Sequence, residues 1–527
     1  MSRPQPSLTP SYAPLLRTAA LRRVEAEAAA ARPALRPGLM ERAGLAAAET
    51  ARDLLGDRGR RVLVVAGPGN NGGDAFEAAV HLRNGFHRVT LVFAGAAEKL
   101  PADAAAAFRK WQATGAPLLG DIPENETWDL VIDGLFGVGL TRPLAGRHAD
   151  LVARMNAIAA AARIPLLALD VPSGIAGDTG QVMGAAVHAT HTLAFIALKP
   201  GLLTLDGPDY CGEVRCVDLG LDRAALGTDG ELLSADTLDA LRPRPRNFHK
   251  GNAGNVIVVG GASGMTGAPL IAARAALKVG AGKVFVIPLG SDAPMLDLLQ
   301  PELMFRAPRV ALDEDGVTLA GPGMGQDKAA AALLRKLLAA ERTLVLDADA
   351  LNLIAEQKPL QALAAKRTAP TLMTPHPAEA ARLLNVKTAA VQADRVASAC
   401  ALADRYASFI VLKGNGSVVA RPAATPGPKT RTAKAAAKVQ PGDDAPRWWI
   451  NPSGNPGMAS AGMGDALGGL LAGLLAQGLP PLAALQLAVW LHGAAADELC
   501  AAGMGPWGIT ASDVIEQARL ILNRQRR

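Results

Sequence analysis

Short runs of Val, Ile and Leu alternate with longer Ala-rich stretches through both halves of the chain. Uniformly apolar runs of this length are typical of parallel strands buried on both faces, and the Ala-rich stretches have the length of covering helices. The pattern therefore predicts an α/β fold in each half. The predicted strands are 61–66, 89–93, 130–133, 166–170 and 192–196 in the first half, and 255–260, 283–287, 343–346, 371–373 and 409–412 in the second. A longer apolar run, 466–479, predicts a buried helix because it is too short to span a bilayer.

A charged, proline-containing segment, 222–246, lacks apolar periodicity and separates the two halves. Such segments commonly connect domains. The sequence therefore predicts a first domain over 1–222, a linker over 223–240 and a second domain over 241–527.

Residues 421–446 form a low-complexity segment that is rich in Pro, Ala, Thr and Lys. The segment lies between two predicted hairpin strands, 417–420 and 448–450. It predicts a mobile surface insertion, and a basic contact arm is the alternative.

Composition restricts the classes of partner. Half of the 527 residues are apolar, and 54 basic against 48 acidic residues give a net charge of only +6. These values predict a soluble protein that binds neither nucleic acid nor membranes. The four cysteines have no paired spacing and the N-terminus has no apolar signal segment, so the sequence predicts a cytoplasmic protein.

A glycine-rich loop with the sequence GPGNNGGD, from Gly67 to Asp74, follows the first predicted strand. The loop matches the Gly-x-Gly-x-x-Gly pattern of dinucleotide-binding oxidoreductases. Two details argue against hydride transfer: the next strand, 89–93, ends without the acidic residue that holds a ribose, and the loop carries two amides and an aspartate. Bare backbone amides and a carboxylate at a helix N-cap instead predict a ligand cradle at the carboxyl end of the sheet.

Two further strand ends bring polar groups to the same edge of the predicted sheet. Asp133 precedes a glycine-containing turn, and Asp170 opens the sequence DVPSG, which contains Ser173. Oxygen donors from Asn71, Asp133 and Ser173 suit a hard monovalent or divalent cation, which leaves Asp170 as an acid or base. The alternative, that each residue only caps a helix or forms a turn, is reasonable for any one of them and poor for all of them together.

These motifs, together with the upstream sequence LMERAG at 39–44, make residues 15–222 resemble the NAD(P)H-hydrate epimerase family. The resemblance implies a Rossmann-like three-layer sandwich that interconverts the R and S hydrates of NADH and NADPH. It also implies a potassium ion on Asn71, Asp133 and Ser173, with Asp170 as the catalytic residue. The substrate contacts that it implies are Asn70, Asn71, Gly72, Gly73, Asp74, Gly137, Val138, Gly139, Leu140, Thr141, Arg142, Pro143 and Asp170.

In the second half, glycine clusters again follow predicted strands. The most informative cluster is Gly462-Met463-Gly464-Asp465, at the start of the apolar helix. Open amides at a helix N-terminus can hold a transferring phosphoryl group, and the adjoining aspartate can take a hydroxyl proton. The turn resembles the anion hole and base of ribokinase-like folds, and taken alone it predicts a small-molecule kinase.

The whole series of motifs, including NPSGNPGMA at 451–459, resembles the ADP/ATP-dependent NAD(P)H-hydrate dehydratase family from about residue 230 to the end. The resemblance implies a ribokinase-like α/β domain with Asp465 as the catalytic residue and Mg²⁺ on the nucleotide phosphates. The nucleotide contacts that it implies are Lys413, Gly414, Asn415, Gly416, Ser417 and Gly464. The substrate contacts that it implies are Ala268, Gly323, Gly325, His376 and Asp465.

Together the two resemblances predict a fused repair enzyme that epimerises NADHX and NADPHX, the hydrated coenzymes, and dehydrates the S form at the expense of ADP. Fusion to the epimerase implies ADP, although the residues themselves leave ADP and ATP open. We also expect a homo-oligomer. Two alternatives remain open, namely a vitamin-precursor kinase in the second half and a non-catalytic first half of the scaffold or RNA-binding type.

Overall fold

The computed structural model describes residues 14–31, 37–57, 59–222, 226–291, 293–308, 314–423 and 447–524. Contacts within the chain divide it into two compact units, Met1–Glu231 and Leu232–Arg527. The division falls within the segment predicted as a linker. Residues 424–446, which are most of the predicted insertion, lie outside the described residues.

The first unit contains a seven-stranded sheet in which neighbouring strands are parallel. Its strands are β1 (Arg61–Ala66), β2 (Arg88–Phe93), β3 (Leu118–Leu119), β4 (Leu130–Gly134), β5 (Leu166–Leu169), β6 (His191–Phe195) and β7 (Glu213–Val217). Its helices are α1 (Thr18–Ala31), α2 (Leu39–Leu55), α3 (Asn70–Asn84), α4 (Ala102–Ala113), α5 (Arg147–Ala162) and α6 (Gly207–Cys211). The strand order is β3-β2-β1-β4-β5-β6-β7, so its direction reverses between β1 and β4. Ligands of open α/β sheets bind at the carboxyl ends of the strands beside such a reversal.

Alternate residues of β1 face opposite helix layers, because successive side chains of a strand point to opposite sides of the sheet. Val62 and Val64 lie in an apolar cluster with residues of α2, α3 and α4. Leu63 and Val65 lie in a second cluster with residues of α5. The fold is therefore the Rossmann-like three-layer sandwich that was predicted, and the ends of its strands form the accessible edge.

The second unit contains most of a ten-stranded sheet of order β11-β10-β9-β12-β13-β14-β15-β16-β17-β8. Its strands are β8 (Glu231–Leu232, at the division), β9 (Asn255–Gly260), β10 (Lys283–Pro288), β11 (Met304–Phe305), β12 (Val317–Ala320), β13 (Leu344–Leu346), β14 (Thr371–Met373), β15 (Phe409–Leu412), β16 (Ser417–Ala420) and β17 (Trp448–Asn451). Its helices are α7 (Gly267–Lys278), α8 (Lys328–Ala339), α9 (Asp349–Glu356), α10 (Lys358–Ala365), α11 (Pro377–Leu384), α12 (Thr388–Ala393), α13 (Arg395–Tyr406), α14 (Met463–Ala476), α15 (Pro481–Ala501) and α16 (Ala511–Arg524). From β11 to β15 the paired strands are parallel, and β15, β16 and β17 form an antiparallel meander. This is the ribokinase-like α/β architecture that was predicted.

Helix α14 is buried, as predicted, and packs closely on α7. A Cβ atom on Gly469 would lie 2.0 Å from the carbonyl oxygen of Ala272, and one on Gly473 would lie 2.3 Å from Cγ1 of Val279. Only glycine allows the two helices to approach this closely, so the packing fixes the position of the α14 N-terminus. Within the described ranges, no helix is both long and apolar enough to cross a membrane.

Candidate active sites

The glycine-rich loop after β1 forms a close-packed cradle. A Cβ atom on Gly67 would lie 1.7 Å from the carbonyl oxygen of Leu135, and one on Gly72 would lie 1.9 Å from the carbonyl oxygen of Gly67. A side chain at either position would therefore collide with backbone. Helix α3 begins directly after this turn at Asn70, with Gly69 as its N-cap, so its first amides face the sheet edge.

Asp74 lies in the second turn of α3. The expectation from sequence that its carboxylate caps this helix is therefore wrong. Burial raises the pKa of its carboxyl group well above the usual range, and the negative charges of Asp170 and Glu25 raise it further. Burial and the charge of Asp170 also raise the pKa of Glu25, which belongs to α1. The three carboxyl groups therefore lie near enough to influence one another.

Asp133 and Ser173 form a buried hydrogen-bonded pair beyond the ends of β4 and β5. The Ser173 hydroxyl donates to Oδ1 of Asp133 at 2.6 Å, and the Ser173 amide donates to Oδ2 at 2.8 Å. The amide of Leu135 also donates to Oδ1, at 3.1 Å. Burial raises the pKa of Asp133 to about 6, although these hydrogen bonds oppose the shift. The predicted cation ligands Asp133 and Ser173 are thus brought together.

Asn71, the third predicted cation ligand, is 8% exposed, yet neither polar atom of its side chain has a hydrogen-bond partner among the described residues. A buried amide without partners is costly, so this side chain indicates a ligand site. Gly137, in the loop after β4, lies so close that a Cβ atom there would be 3.4 Å from Oδ1 of Asn71. The other end of that predicted loop, from Thr141 to Pro143, is exposed at the surface.

Asp170 follows β5 with a left-handed backbone, φ +64°, which residues other than glycine rarely adopt. Lys199 is fully buried, forms an ion pair with Oδ1 of Asp170 and donates to the carbonyl oxygen of Phe195 at 2.9 Å. The Phe195 amide donates to the same Oδ1 at 3.2 Å. Asp170 is therefore a charge-paired carboxylate held in one orientation. Lys199 is not among the residues predicted from sequence, although a lysine inside the apolar stretch after β6 is a visible signal.

Asp465 lies in the first turn of α14 and is half-buried, and the N-cap of that helix, Gly462, has φ +85°. Burial, followed by the negative charge of Asp347, raises the pKa of Asp465 to about 7, and Lys413 opposes the shift. This carboxyl group can therefore exchange a proton near neutral pH. It does so at a helix end that favours anions.

A partly buried ion pair joins Lys413 and Asp347 at the same site, with Nζ 2.8 Å from Oδ1. A Cβ atom on Gly464 would lie 3.3 Å from Nζ of Lys413 and 3.4 Å from Oδ2 of Asp347, so the pair faces the N-terminus of α14. Burial by itself lowers the pKa of Lys413, but the carboxylates of Asp347 and Glu379 outweigh burial and the net shift is upward. Asp347 is not among the predicted residues, although it directly follows β13.

His376 caps helix α11. Its Nδ1 accepts hydrogen bonds from the amides of Ala378 at 3.1 Å and Glu379 at 3.4 Å, and the Glu379 carboxylate accepts one from the His376 amide at 2.8 Å. This reciprocal capping box fixes the ring, and burial and the charge of Lys413 lower its pKa. Burial raises the pKa of Glu379 to about 7. His376 is therefore a neutral, oriented imidazole close enough to Lys413 to be influenced by it.

The predicted substrate residues Ala268, Gly323 and Gly325 lie beyond the ends of β9 and β12. A Cβ atom on Gly323 would lie 3.5 Å from Cβ of Ala268, so these two residues are in contact. The Gly325 amide donates to the Asp349 carboxylate at 2.9 Å, which fixes the turn. Ile271, one helical turn after Ala268, contacts the start of α14, so this wall adjoins the Asp465 turn.

Helix α15 contacts the NPSGNPGMA motif at 451–459, which precedes α14. Asp497 accepts hydrogen bonds from the amide of Gly454 at 2.8 Å and from the side chain of Asn455 at 3.0 Å. A Cβ atom on Gly493 would lie 2.4 Å from Oγ of Ser453, so helix and loop are in close contact. Contacts with α15 therefore fix the 451–459 motif.

Both units have parallels in known proteins. Residues 37–201 match the family described as YjeF-related protein N-terminus, and residues 256–443 and 439–519 match the family described as NAD(P)H-hydrate dehydratase. The bifunctional NAD(P)H-hydrate repair enzyme Nnr of Coxiella burnetii is 37% identical and the match covers 88% of this chain and 90% of that relative. The Escherichia coli enzyme of the same description is 36% identical and the match covers 95% of this chain and 93% of the relative.

A solved ADP/ATP-dependent NAD(P)H-hydrate dehydratase from Bacillus subtilis is 27% identical, with a TM-score of 0.44 over 54% of this chain and 94% of the solved one. The two units, each with a carboxylate beside glycine-lined backbone, define an α/β enzyme with two candidate sites. The chain belongs to the family of bifunctional NAD(P)H-hydrate repair enzymes. In this family assignment the first unit is the epimerase part and the second unit is the dehydratase part.

Proposed function

We propose that this chain repairs NADHX and NADPHX in two linked steps. The domain over 1–222 interconverts the R and S hydrates, and the domain over 241–527 returns the S hydrate to the reduced coenzyme while ADP becomes AMP and phosphate. The observation that carries the proposal is the pair of carboxylates, Asp170 and Asp465, each at the carboxyl edge of a mainly parallel sheet beside glycine-lined backbone. The first step supplies the isomer that the second step consumes.

Asp170 moves the proton in the proposed epimerisation. The nitrogen lone pair of the hydrated ring expels the hydroxyl group from the adjacent carbon, and water then returns to either face. A carboxyl group that gives a proton to the departing oxygen and takes one from the incoming water is sufficient. Within the described chain, Lys199 and the Phe195 amide both contact Oδ1, so we infer that Oδ2 faces the substrate.

Asn71, Asp133 and Ser173 fit a potassium ion. All three side chains offer oxygen atoms, and the partnerless amide of Asn71 is the observation that favours an ion there. Potassium would offset the charge of the buried Asp133 carboxylate and attract an oxygen of the ligand. The remaining residues of the cradle, Asn70 to Asp74 and Gly137 to Pro143, would contact the substrate.

Asp465 is the base of the proposed dehydration. Hydroxide is a poor leaving group, but a phosphorylated hydroxyl leaves readily when the ring nitrogen supplies its lone pair. Asp465 takes the hydroxyl proton as the phosphoryl group arrives, and the amides at the α14 N-terminus hold the developing negative charge. Loss of phosphate and of a proton from the neighbouring ring carbon then restores the reduced coenzyme.

The nucleotide would bind to Gly464 and the loop from Lys413 to Ser417, and the hydrated ring would bind between His376 and the wall of Ala268, Gly323 and Gly325. Mg²⁺ would accompany the nucleotide phosphates. We propose that phosphate oxygens and water supply most of its ligands.

The test is to supply mixed R and S hydrates with ADP and Mg²⁺ and to follow the absorbance of the reduced nicotinamide. We expect Asp465→Asn to abolish recovery of the absorbance. We expect Asp170→Asn to consume the S fraction normally and to limit the R fraction to its slow spontaneous conversion. Parent-like use of the R fraction by Asp170→Asn would show that the epimerase assignment is wrong, and accumulation of a phosphorylated product without reduced coenzyme would identify a kinase.

We also propose that the chain acts in the cytoplasm as a homo-oligomer, without nucleic-acid or membrane partners. The unpaired spacing of the cysteines supports the cytoplasmic location, and the balanced charge supports the lack of nucleic-acid and membrane partners. Sedimentation of the purified protein at several concentrations tests the homo-oligomer, because a monomer at every concentration would contradict it.

A further inference from the structure

Arg395 lies behind the loop between β15 and β16. The residue is 2% exposed and is the first residue of α13. Its guanidinium group donates hydrogen bonds to the carbonyl oxygens of Leu412 and Lys413, both at 3.2 Å, and of Gly416 at 3.5 Å. One buried cation therefore holds both ends of the loop.

These hydrogen bonds set the direction of the peptide groups in the loop. In a trans peptide, the C=O of one residue and the N–H of the next point in opposite directions. Because the carbonyl groups of Lys413 and Gly416 point at Arg395, the amides of Gly414 and Ser417 point to the opposite side of the loop, where the Gly414 amide donates to the Ser417 hydroxyl oxygen at 3.3 Å. Backbone amides presented in this way form anion-binding sites.

Gly414 is shaped to fit the guanidinium group. Its φ is +142°, and a Cβ atom there would lie 2.9 Å from both terminal nitrogens of Arg395. A side chain at this position would displace either the loop or the arginine. The loop conformation and the buried arginine therefore depend on each other.

We propose that Arg395 is a positioning residue for nucleotide binding, which holds the loop amides in the geometry that receives phosphate oxygens. The inference rests on the proposed assignment of 413–417 to the nucleotide. At 2% exposure, the arginine has no surface for a ligand, so it acts through the loop. Nη2 contacts all three carbonyl groups while Nη1 donates to Gln392, and the single ammonium nitrogen of lysine does not reproduce this division.

Arg367 provides a matched control in the same unit. It is 8% exposed and also donates to backbone carbonyl oxygens, those of Leu338 at 2.6 Å and Ala340 at 2.9 Å. It donates to the hydroxyl of Thr371, the first residue of β14, so it supports the edge of the sheet opposite the site. Burial lowers the pKa of both arginines to about 10, which makes the two environments comparable.

The experiment compares Arg395→Lys with Arg367→Lys in the full chain, by calorimetric titration with ADP and Mg²⁺ and by dehydration kinetics with purified S hydrate. We expect Arg395→Lys to weaken ADP binding and to raise the KM for ADP about tenfold, with the KM for the hydrate changed less than about twofold. We expect Arg367→Lys to lower the melting temperature with ADP affinity changed less than about twofold. An equal loss of ADP affinity in both variants would overturn the inference.

A second variant keeps the inference testable if Arg395→Lys does not fold. Gln392 accepts a hydrogen bond from Arg395 at 2.8 Å, and Gln392→Ala removes this contact while the arginine and the loop residues stay in place. We expect ADP binding to weaken about threefold, with the KM for the hydrate unchanged. Unchanged ADP affinity in this variant would count against the role of Arg395.

Ser417→Ala separates the inference from the assignment on which it rests. If Ser417→Ala weakens ADP binding and Arg395→Lys does not, only the role of Arg395 is wrong. If neither variant changes ADP affinity, the loop does not bind the nucleotide and both statements fail. Weaker ADP binding in both variants supports both.

Discussion

The two candidate active sites each contain a lysine that pairs with a carboxylate, but in different ways. In the first unit, Lys199 forms an ion pair with Asp170, the carboxylate that we propose to react. In the second unit, Lys413 pairs with Asp347, and the proposed base, Asp465, lies beside the pair with a pKa of about 7. On our proposal, the first arrangement compensates the charge of a group that gives and takes a proton in each turnover. The second leaves the proposed base free to change its charge when it accepts the hydroxyl proton.

The largest effect on this comparison is expected from Lys199→Met. The substitution leaves the Asp170 carboxylate without its ion-pair partner in a buried site, so we expect epimerisation to slow by about 10²-fold or more. Chromatographic separation of the R and S hydrates over time measures the rate. Lys110→Met is the control, because it removes a 2.6 Å ion pair with Glu77 in the same unit. An equal loss in both variants would indicate general destabilisation in place of a role in the reaction.

The pH dependence of dehydration tests the arrangement of charges in the second unit. Asp465 accepts a proton only when it is ionised, and its pKa is about 7, so we expect kcat/KM for the S hydrate to fall as the pH drops below about 7. Asp347→Asn removes a charge that raises this pKa, and the acid limb should therefore move to lower pH. A pH profile of dehydration for both proteins measures the shift. An acid limb that stays at the same pH or moves to higher pH in Asp347→Asn would contradict the proposed effect of Asp347 on the pKa of Asp465. The epimerisation rate of the same variant serves as the internal control.

A smaller effect is expected from potassium, which on our proposal binds only the first unit. If potassium chloride is present at about ten times its dissociation constant, the first unit should gain about 1.4 kcal/mol in free energy of unfolding relative to lithium chloride. Asn71→Leu should lose this gain and cost little without potassium, since the amide has no partner in the described chain. Denaturant unfolding in the two salts measures both values. Equal stabilisation of the variant by potassium would remove Asn71 from the ligand set.

The smallest effect is expected from Glu25→Gln, because this glutamate of α1 influences Asp74 through its charge. The Glu25 carboxylate raises the pKa of Asp74, so its removal should lower that pKa. We expect a change of less than about threefold in the epimerisation rate near neutral pH, together with a small movement of the acid limb to lower pH. The pH profile of R-to-S conversion measures it, and a large loss of rate would instead show that Glu25 contacts the substrate.

The sequence predicted the elements that depend on local patterns. The strands at 61–66, 255–260 and 371–373 are confirmed with the same bounds, since each is a buried apolar run flanked by turn residues. Asp170 and Asp465 stand out in the sequence because each belongs to a glycine-containing motif at a strand or helix end, and their catalytic roles stay predictions. Strand β12 at Val317–Ala320 was not among the predicted strands.

Residues that act through long-range pairing could not be predicted. The positions of Lys199 and Asp347 after strands are visible in the sequence, but only the fold shows which charged groups they meet. Arg395 is similar, since an arginine at the start of a helix is usually exposed, and its burial against a loop follows from the packing of α13 beside β15 and β16. Asp74 was placed one turn too early, because the turn residues before α3 do not mark its first residue.

The backbone at Asp170 has a consequence for how the enzyme can change over evolutionary time. A left-handed φ is unfavourable for a residue with a β-carbon by roughly 1 kcal/mol, and glycine and asparagine adopt it most readily. Neither residue has a carboxyl group, so on our proposal selection for the reaction maintains a backbone conformation that is unfavourable for aspartate. A duplicated copy that is no longer selected for the reaction would gain folding stability as it lost activity. Inactive descendants of this fold should therefore accumulate glycine or asparagine at position 170.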